Sequence, residues 1–545
     1  MLQLLDLNAS SHVAVLGASF FAAIFAVLYR AGSLSKQHHD SKTPSIWSLL
    51  LSPTEKVKSR FNAWRFLFQG PSMIQAAYDK SNGAPFSMDM PENTMLIVSD
   101  WKRIKEIDSA PEAVLSLQGA AKEILQPMYT MKSFDWTEKR GGDGAPLLKT
   151  LRNRLTEHLP NILHKIHAGI KARFDEGYDT FPLLNGVKQG AVFPLIIEAV
   201  AKSNAEAFFG PELSGDEQFM EAGMSMIEQT LLIAEIMRLV PRPFKERAGK
   251  FLSSHLNSGL KFCEKLEPIV AQRFHERDLR RKGHDIPEQK DCVQWIMQYS
   301  PQEKPWSVRR VVHELIAVWF GSVHITSTTA CVALFDLCEH PEYVDILRQE
   351  VEQTGWEAFY KSGGTLFPLM DSFMKESARL HPIESVSTRR KALKSFQFSD
   401  GQTVEAGQWV CTAPRGMNTD SANFVHPNDF YGFRFVQPEV LAQAESLLAL
   451  SSPVTEGKFN IPEPGKSSKY IELSDWQQWG TGRCACTGRW YASALIKTML
   501  GTFITNYDMK LVDPKAQRTF AWRTFVYPYA GTQIQFTPRV ENRSC

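Results

Sequence analysis

Apolar positions change their rhythm along this chain, and the changes divide it. An uninterrupted apolar run, VAVLGASFFAAIFAVLY, comes first, at 13–29, without a charge, Asn, Gln or Pro. A run of about 17 residues is at the short end of what crosses a bilayer as a helix. From 147 onward apolar side chains recur at spacings of three and four, through Leu148, Leu151, Leu155, Leu159 and Ile162. That is the period of one helix face. The same rhythm predicts helices over 193–209, 219–239, 251–273, 308–338 and 342–352. The 308–338 stretch is apolar on most sides, so it predicts a helix through the middle of the molecule. Within it, 315–335 lacks Asp, Glu, Lys and Arg but is interrupted by Ser322, His324 and four neighbouring hydroxyl residues. A buried core helix fits that text better than a second membrane span. A further helix over 371–380 is stopped by His381-Pro382.

The texture then turns to short strands. Alternating or β-branched runs predict strands at 94–98, 386–393, 395–398, 408–413, 509–512 and 532–536, with Asp400-Gly401 as a turn. A last helix begins near Gly488, and 423–435 and 451–469, rich in Pro, Gly, Asn and Ser, read as irregular loop. The polar segment 31–58 reads as a linker. The expected architecture is mainly α with small β-sheets behind a single N-terminal transmembrane helix. Its divisions are 1–12 lumenal, 13–30 anchor, 31–58 linker and 59–545 main body, with no internal repeat.

Charge sharpens the membrane reading. Arg30 closes the apolar run and Lys36 and Lys42 follow, whereas only Asp6 and polar residues precede it. A basic C-terminal flank leaves the bulk of the chain in the cytoplasm. A cleaved secretory signal has the opposite charge order. The 61 Lys+Arg against 59 Asp+Glu argue against a protein built to neutralise phosphates, so no nucleic acid is expected. A 43% hydrophobic content excludes a disordered chain, and eight cysteines in 545 residues are too sparse for a disulfide scaffold.

The segment Trp479-Gly480-Thr481-Gly482-Arg483-Cys484-Ala485-Cys486-Thr487-Gly488-Arg489 holds the candidate chemistry. Glycines allow tight turns and close approach to a flat ligand. A cysteine at a helix start has its thiolate favoured by the N-terminal dipole and free N–H groups. A zinc site needs two more ligands, and thiol redox chemistry wants C-x-x-C. A dinucleotide loop formally fits Gly480, Gly482 and Ala485, but 471–478 does not read as the strand it needs. On local chemistry a ligand role and a plain structural turn both stand.

This loop resembles the haem-binding loop F-x-x-G-x-R/H-x-C-x-G of the cytochromes P-450. The resemblance implies Cys486 as axial thiolate of heme b (iron protoporphyrin IX), Trp479 in the aromatic position and Gly482 and Gly488 as the fixed glycines. Glu376-Ser377-Ala378-Arg379 resembles the family's E-x-x-R, its charges on one helix face. Phe430 to Phe435 resembles the segment with the third arginine, so Glu376, Arg379 and Arg434 are expected as a buried ion triad. Similarities at Leu155-Thr156, 115–130, 291–295 and 334–341 point to fungal members that tailor terpenoids, polyketides and indole alkaloids. The family implies monooxygenase chemistry in the endoplasmic reticulum membrane, with a lipophilic small-molecule substrate. Electrons would come from NADPH through a separate reductase, because the chain carries no convincing flavin or nicotinamide signature.

Two positions depart from the family pattern. In Gly321-Ser322-Val323-His324-Ile325-Thr326 the acid position holds His324 and the proton-handling Thr position holds Ile325. His324 and Thr326 are the candidate proton-handling residues, with Ser322 as another hydroxyl. Loss of that Thr keeps open a haem-thiolate enzyme that rearranges or dehydrates without external electrons. In the loop, Cys484 stands where the family places a propionate-binding Arg or His. Arg483 and Arg389 are the expected propionate partners, Arg152 a third, and Arg390 a solvated charge. Residues 115–129 are expected to cap the haem, with Phe320, Val323 and His324 on the distal wall and 384–388 at its edge. A non-catalytic, single-span scaffold remains the reading outside enzymology.

Overall fold

The structure is a computed structural model that describes residues 53–539, apart from 132–144, 257, 302, 304, 443–462, 464–465 and 475. The expected anchor at 13–30 lies outside the described residues. So does most of the 31–58 linker, but its end is already helical, because the first helix starts at Pro53.

The long helices are α1 (Pro53–Ser81), α2 (Thr156–Thr180), α3 (Val192–Phe209), α4 (Glu217–Leu239), α5 (Arg242–His255), α6 (Ser258–Arg281), α7 (Val308–Glu339), α8 (Val344–Thr354), α9 (Pro368–Leu380) and α10 (Arg489–Asn506). The helix expected over 251–273 is two, α5 and α6, broken around Leu256, where the backbone turns extended (φ −115°, ψ 93°). A π-turn at Thr150–Leu155 leads into α2 and carries Arg152. Central helix α7 packs against α3, α6 and α10. It is the one helix among the described residues long and apolar enough to span a membrane. Its buried Leu315, Trp319, Leu334 and Leu337 make it a core helix, as its polar interruptions predict.

Five strands form the larger sheet, in the order β1 (Phe86–Asp89), β2 (Thr94–Val98), β9 (Trp409–Thr412), β6 (Ser387–Ala392), β3 (Leu115–Ser116). β2 and β9 run parallel, from Met95 opposite Trp409 to Val98 opposite Thr412. A second sheet orders β10 (Tyr507–Leu511), β13 (Gln533–Pro538), β5 (Val187–Ala191) and β4 (Leu183–Leu184). Two hairpins complete the strands, β7 (Phe396–Gln397) with β8 (Thr403–Val404), and β11 (Thr519–Trp522) with β12 (Phe525–Pro528).

Buried charges fix how these pieces meet. A closed ring joins the β1–β2 turn, the end of α4 and the β11–β12 turn. In it Arg523 reaches Glu92 and Glu235 at 2.8 Å each, Arg238 reaches Glu235 at 3.0 Å, and Arg238 also pairs with Glu92. Both arginines are at most 8% exposed. Elsewhere Glu350 of α8 accepts the Leu369 and Met370 N–H groups at 2.7 and 3.0 Å, capping the start of α9 from outside. Burial pushes its carboxyl up from 4.5 to about 8. A carboxyl raised on folding contributes its stability in full below its unfolded value and loses it as the pH passes the folded one. The contribution of Glu350 to stability is therefore expected to fade between about pH 4.5 and 8, and Glu350→Gln to remove that part of the slope in melting curves across pH.

Candidate functional site

The loop before α10 is shaped by its glycines. Gly480 and Gly482 hold φ of +74° and +55°, the left-handed region that side chains disfavour. A Cβ on Gly482 would also lie 2.6 Å from Asp108. A 3-10 turn, Gly482–Cys484, follows, and the Cys486 N–H donates to the Trp479 carbonyl at 2.7 Å, closing the loop on itself. Trp479 Nε1 donates to Tyr470 O at 2.7 Å, and Arg489 Nη1 to Cys486 O at 3.0 Å. Arg483 Nη2 is bonded to the Ala110 carbonyl.

Cys486 is exposed. Yet the protein groups crowded around it raise its thiol by desolvation, with the Gly488 N–H and Arg489 charge pulling the other way. The Gly488 N–H at the helix start thus favours the thiolate as the sequence implies, against desolvation by the surrounding protein. A bound metal cation reverses that balance, since a coordinating thiol is deprotonated outright.

Opposite in kind is a face of α7. Ile325 is 50% exposed and Gly321, one turn earlier, is also exposed, in a helix otherwise largely buried. Thr326, about 100° further round, is 8% exposed. His324 Nε2 is buried without a hydrogen-bond partner, and burial pushes the imidazole down to about 4. Three hydroxyls nearby are tied to the helix itself: Ser322 donates to Trp319 O at 3.1 Å, Ser327 to Val323 O at 2.8 Å and Thr329 to Ile325 O at 2.9 Å. Val323 is fully buried and Phe320 partly. The segment 115–130 forms β3 and two short helices, Leu117–Leu125 and Pro127–Thr130, against α4.

The ion triad is present. Arg379 donates to Glu376 through Nε at 2.7 Å and Nη2 at 2.9 Å, and Arg434 Nε lies 3.0 Å from both Glu376 oxygens. All three are at most 1% exposed. Their other N–H groups reach carbonyls of Asn418, Pro427, His426 and Asp429. Sequence reasoning missed Glu463, which accepts from Arg434 Nη1 at 3.1 Å and from Lys466 at 2.8 Å. No spacing links 463 to 434.

Strand β6 places its two arginines on opposite faces. Residues 388, 390 and 392 point inward, so Arg390 is buried and pairs with Asp108 at 3.5 Å. The expected solvated charge is thus corrected; the two-residue period of a strand leaves no surface position there. The pairing of β6 with β9 shifts between Ser387 and Arg390, where Thr388 has a φ of 50°. Such irregularities re-aim side chains. Thr388 bonds Thr481 of the cysteine loop at 3.0 Å, and Thr481 donates to Asp108 at 2.9 Å. Arg389 pairs with Glu384 and donates to Thr524 at 3.3 Å, while its buried Nε has no partner.

These features fit a flat, apolar, iron-bearing group with carboxylates at its rim. They supply an exposed cysteine, an exposed stretch of helix at Gly321 and Ile325, an unpartnered imidazole nitrogen and an unpartnered guanidinium N–H. A zinc cage has less support: among the described residues no three His, Cys, Asp or Glu side chains group as metal ligands.

Comparison with known proteins agrees. A family model described as Cytochrome P450 matches residues 69–536. Cytochrome P450 monooxygenase 151 of Postia placenta is 26% identical, over 90% of this chain and 93% of that protein. Cytochrome P450 monooxygenases ptmQ of Penicillium ochrochloron and penQ of Penicillium crustosum are each 25% identical, over 86% of this chain and 87% of theirs. Among solved structures, retinoic acid bound cyanobacterial CYP120A1 superposes with a TM-score of 0.58 at 15% identity, covering 85% of this chain and 94% of that one. That likeness speaks to the fold.

Proposed function

The chain belongs to the cytochrome P450 monooxygenase family, and from that premise we propose a membrane-anchored enzyme that inserts one oxygen atom from O2 into a lipophilic fungal secondary-metabolite intermediate. An NADPH-dependent reductase in the same endoplasmic reticulum membrane supplies its electrons, and the run at 13–30 holds the two together. The observation that carries this reading is Cys486, an exposed residue on a glycine-shaped loop just before α10. When bound, thiolate-ligated haem supplies the dioxygen activation, because the thiolate's electron density favours O–O cleavage.

The chain's own residues divide the remaining work. Trp479, Gly482 and Gly488 shape the loop that presents the sulfur. Arg389, through its unpartnered Nε, receives a propionate, with Arg483 and Arg152 as further cations. Glu376, Arg379 and Arg434 brace the wall behind. His324 holds a proton or a water at Nε2, with Thr326 the second candidate, since Ile325 offers no hydroxyl and Ser322, Ser327 and Thr329 donate to helix carbonyls. A neutral imidazole both accepts and donates. His324→Leu is expected to keep the thiolate-type carbon-monoxide band. Product formed per NADPH consumed should fall of order 100-fold, the low end for a positioned proton donor.

The test is expression with a reductase, feeding of polycyclic precursors and mass readout of an added oxygen from labelled O2. Half-exposed Ile325 at the usual Thr position favours a second reading, rearrangement or dehydration without external electrons. Product formed without NADPH and reductase would establish it and overturn the first.

A further inference from the structure

The helix that follows the cysteine loop and the helix that carries His324 are joined by a single amide. Tyr491 lies on α10 five residues beyond Cys486, Asn204 on α3, and Ser322 on α7, two residues before His324. The Tyr491 hydroxyl donates to Asn204 Oδ1 at 3.0 Å, and Asn204 Nδ2 donates to Ser322 Oγ at 3.0 Å. Ser322 in turn donates to Trp319 O at 3.1 Å, and Trp319 Nε1 donates to Gly223 O of α4 at 3.0 Å. One chain of hydrogen bonds thus runs from the cysteine-loop helix, across the central helix, to the helix above it.

Asn204 and Trp319 are fully buried and Tyr491 is 5% exposed. A buried amide is tolerated where its polar ends are satisfied, and here each end is used by a different helix. The surrounding contacts, Phe208 against Tyr491 at 5.8 Å and Phe209 against Trp319 at 5.6 Å, are apolar. Apolar contact is non-directional, so it resists separation more than sliding. The two hydrogen bonds of Asn204 are directional, so a slide of α10 past α7 breaks one of them.

We propose that Asn204 is a positioning residue, which acts through Tyr491 and Ser322 to hold Cys486 in register with the exposed Gly321–Ile325 face of α7. The proposal rests on Cys486 as the axial ligand. Asn204→Leu cuts both arms, Tyr491→Phe only the α10 arm and Ser322→Ala only the α7 arm. Two spectra of the haem-loaded full-length chain separate this from loss of stability, taken equally far below each variant's Tm. The carbon-monoxide difference spectrum resolves thiolate- from thiol-ligated haem, and imidazole titration reports the distal side.

Tyr491→Phe is expected to raise the thiol-ligated fraction about tenfold, the effect of losing one buried hydrogen bond with its partner left unpaired. Imidazole affinity should shift severalfold with it. Ser322→Ala should move both spectra in the same way, because cutting either arm opens the one bridge. Asn204→Leu should do the same, and adding Tyr491→Phe to it should change nothing further. Variants that lower Tm but leave both spectra as in the parent overturn the proposal, and so does additivity. If Asn204→Leu fails to fold, the two single-arm variants decide in the same way. A parent chain without a thiolate band overturns the ligand assignment and the proposal together; a parent band with unmoved variants overturns the proposal alone.

Discussion

Cys486→Ser is expected to abolish the thiolate-type carbon-monoxide band and all reductase-dependent turnover, while Cys484→Ser keeps both. The two sulfurs differ by position, though only one residue separates them. Cys484 closes the 3-10 turn, whereas Cys486 sits where the chain straightens, its N–H held by Trp479 O, immediately before α10. Of the pair, Cys486 is the more exposed. A serine hydroxyl does not ionise in the range of a thiol and offers iron no sulfur, so the loss is complete rather than graded. The reverse outcome, with the band lost in Cys484→Ser and kept in Cys486→Ser, moves the ligand to Cys484.

Arg434→Leu is expected to cost about 3–5 kcal/mol, the range for a buried ion pair stripped of one partner. Glu376 would keep Arg379 and the Tyr431 N–H, at 2.9 Å, but Glu463 would lose its buried guanidinium. Typical domains have only about 5–15 kcal/mol in hand, so this variant should melt well below the parent. Arg434→Lys keeps the charge and loses the fork, and an intermediate melting temperature is expected. The exposed pair Arg154–Glu157, at 3.2 Å, gives the contrast. Arg154→Leu is expected to shift stability by no more than about 1 kcal/mol. An Arg434→Leu protein that melts with the parent would refute the buried triad as a brace.

Much of this is legible in the sequence because it is local. The E-x-x-R pair shows in its spacing, and the helical and strand rhythms place α7, α9, α10, β2, β6 and β9 within a few residues. What escapes is relational. Arg390 reads as solvated until the strand's period turns it inward onto Asp108, 282 positions earlier in the numbering. Glu463 lies in text that looks like loop, and its value comes from meeting Arg434.

The closed ring of Glu92, Glu235, Arg238 and Arg523 has a consequence for synthesis. Three of its members leave the ribosome long before the fourth, and together they carry one negative charge too many for a dry site. Until Arg523 emerges, α4 cannot settle against the β1–β2 turn without stranding a carboxylate. Most of the chain must therefore exist before that corner can close, and nascent protein truncated ahead of Arg523 would expose it to chaperones and proteases.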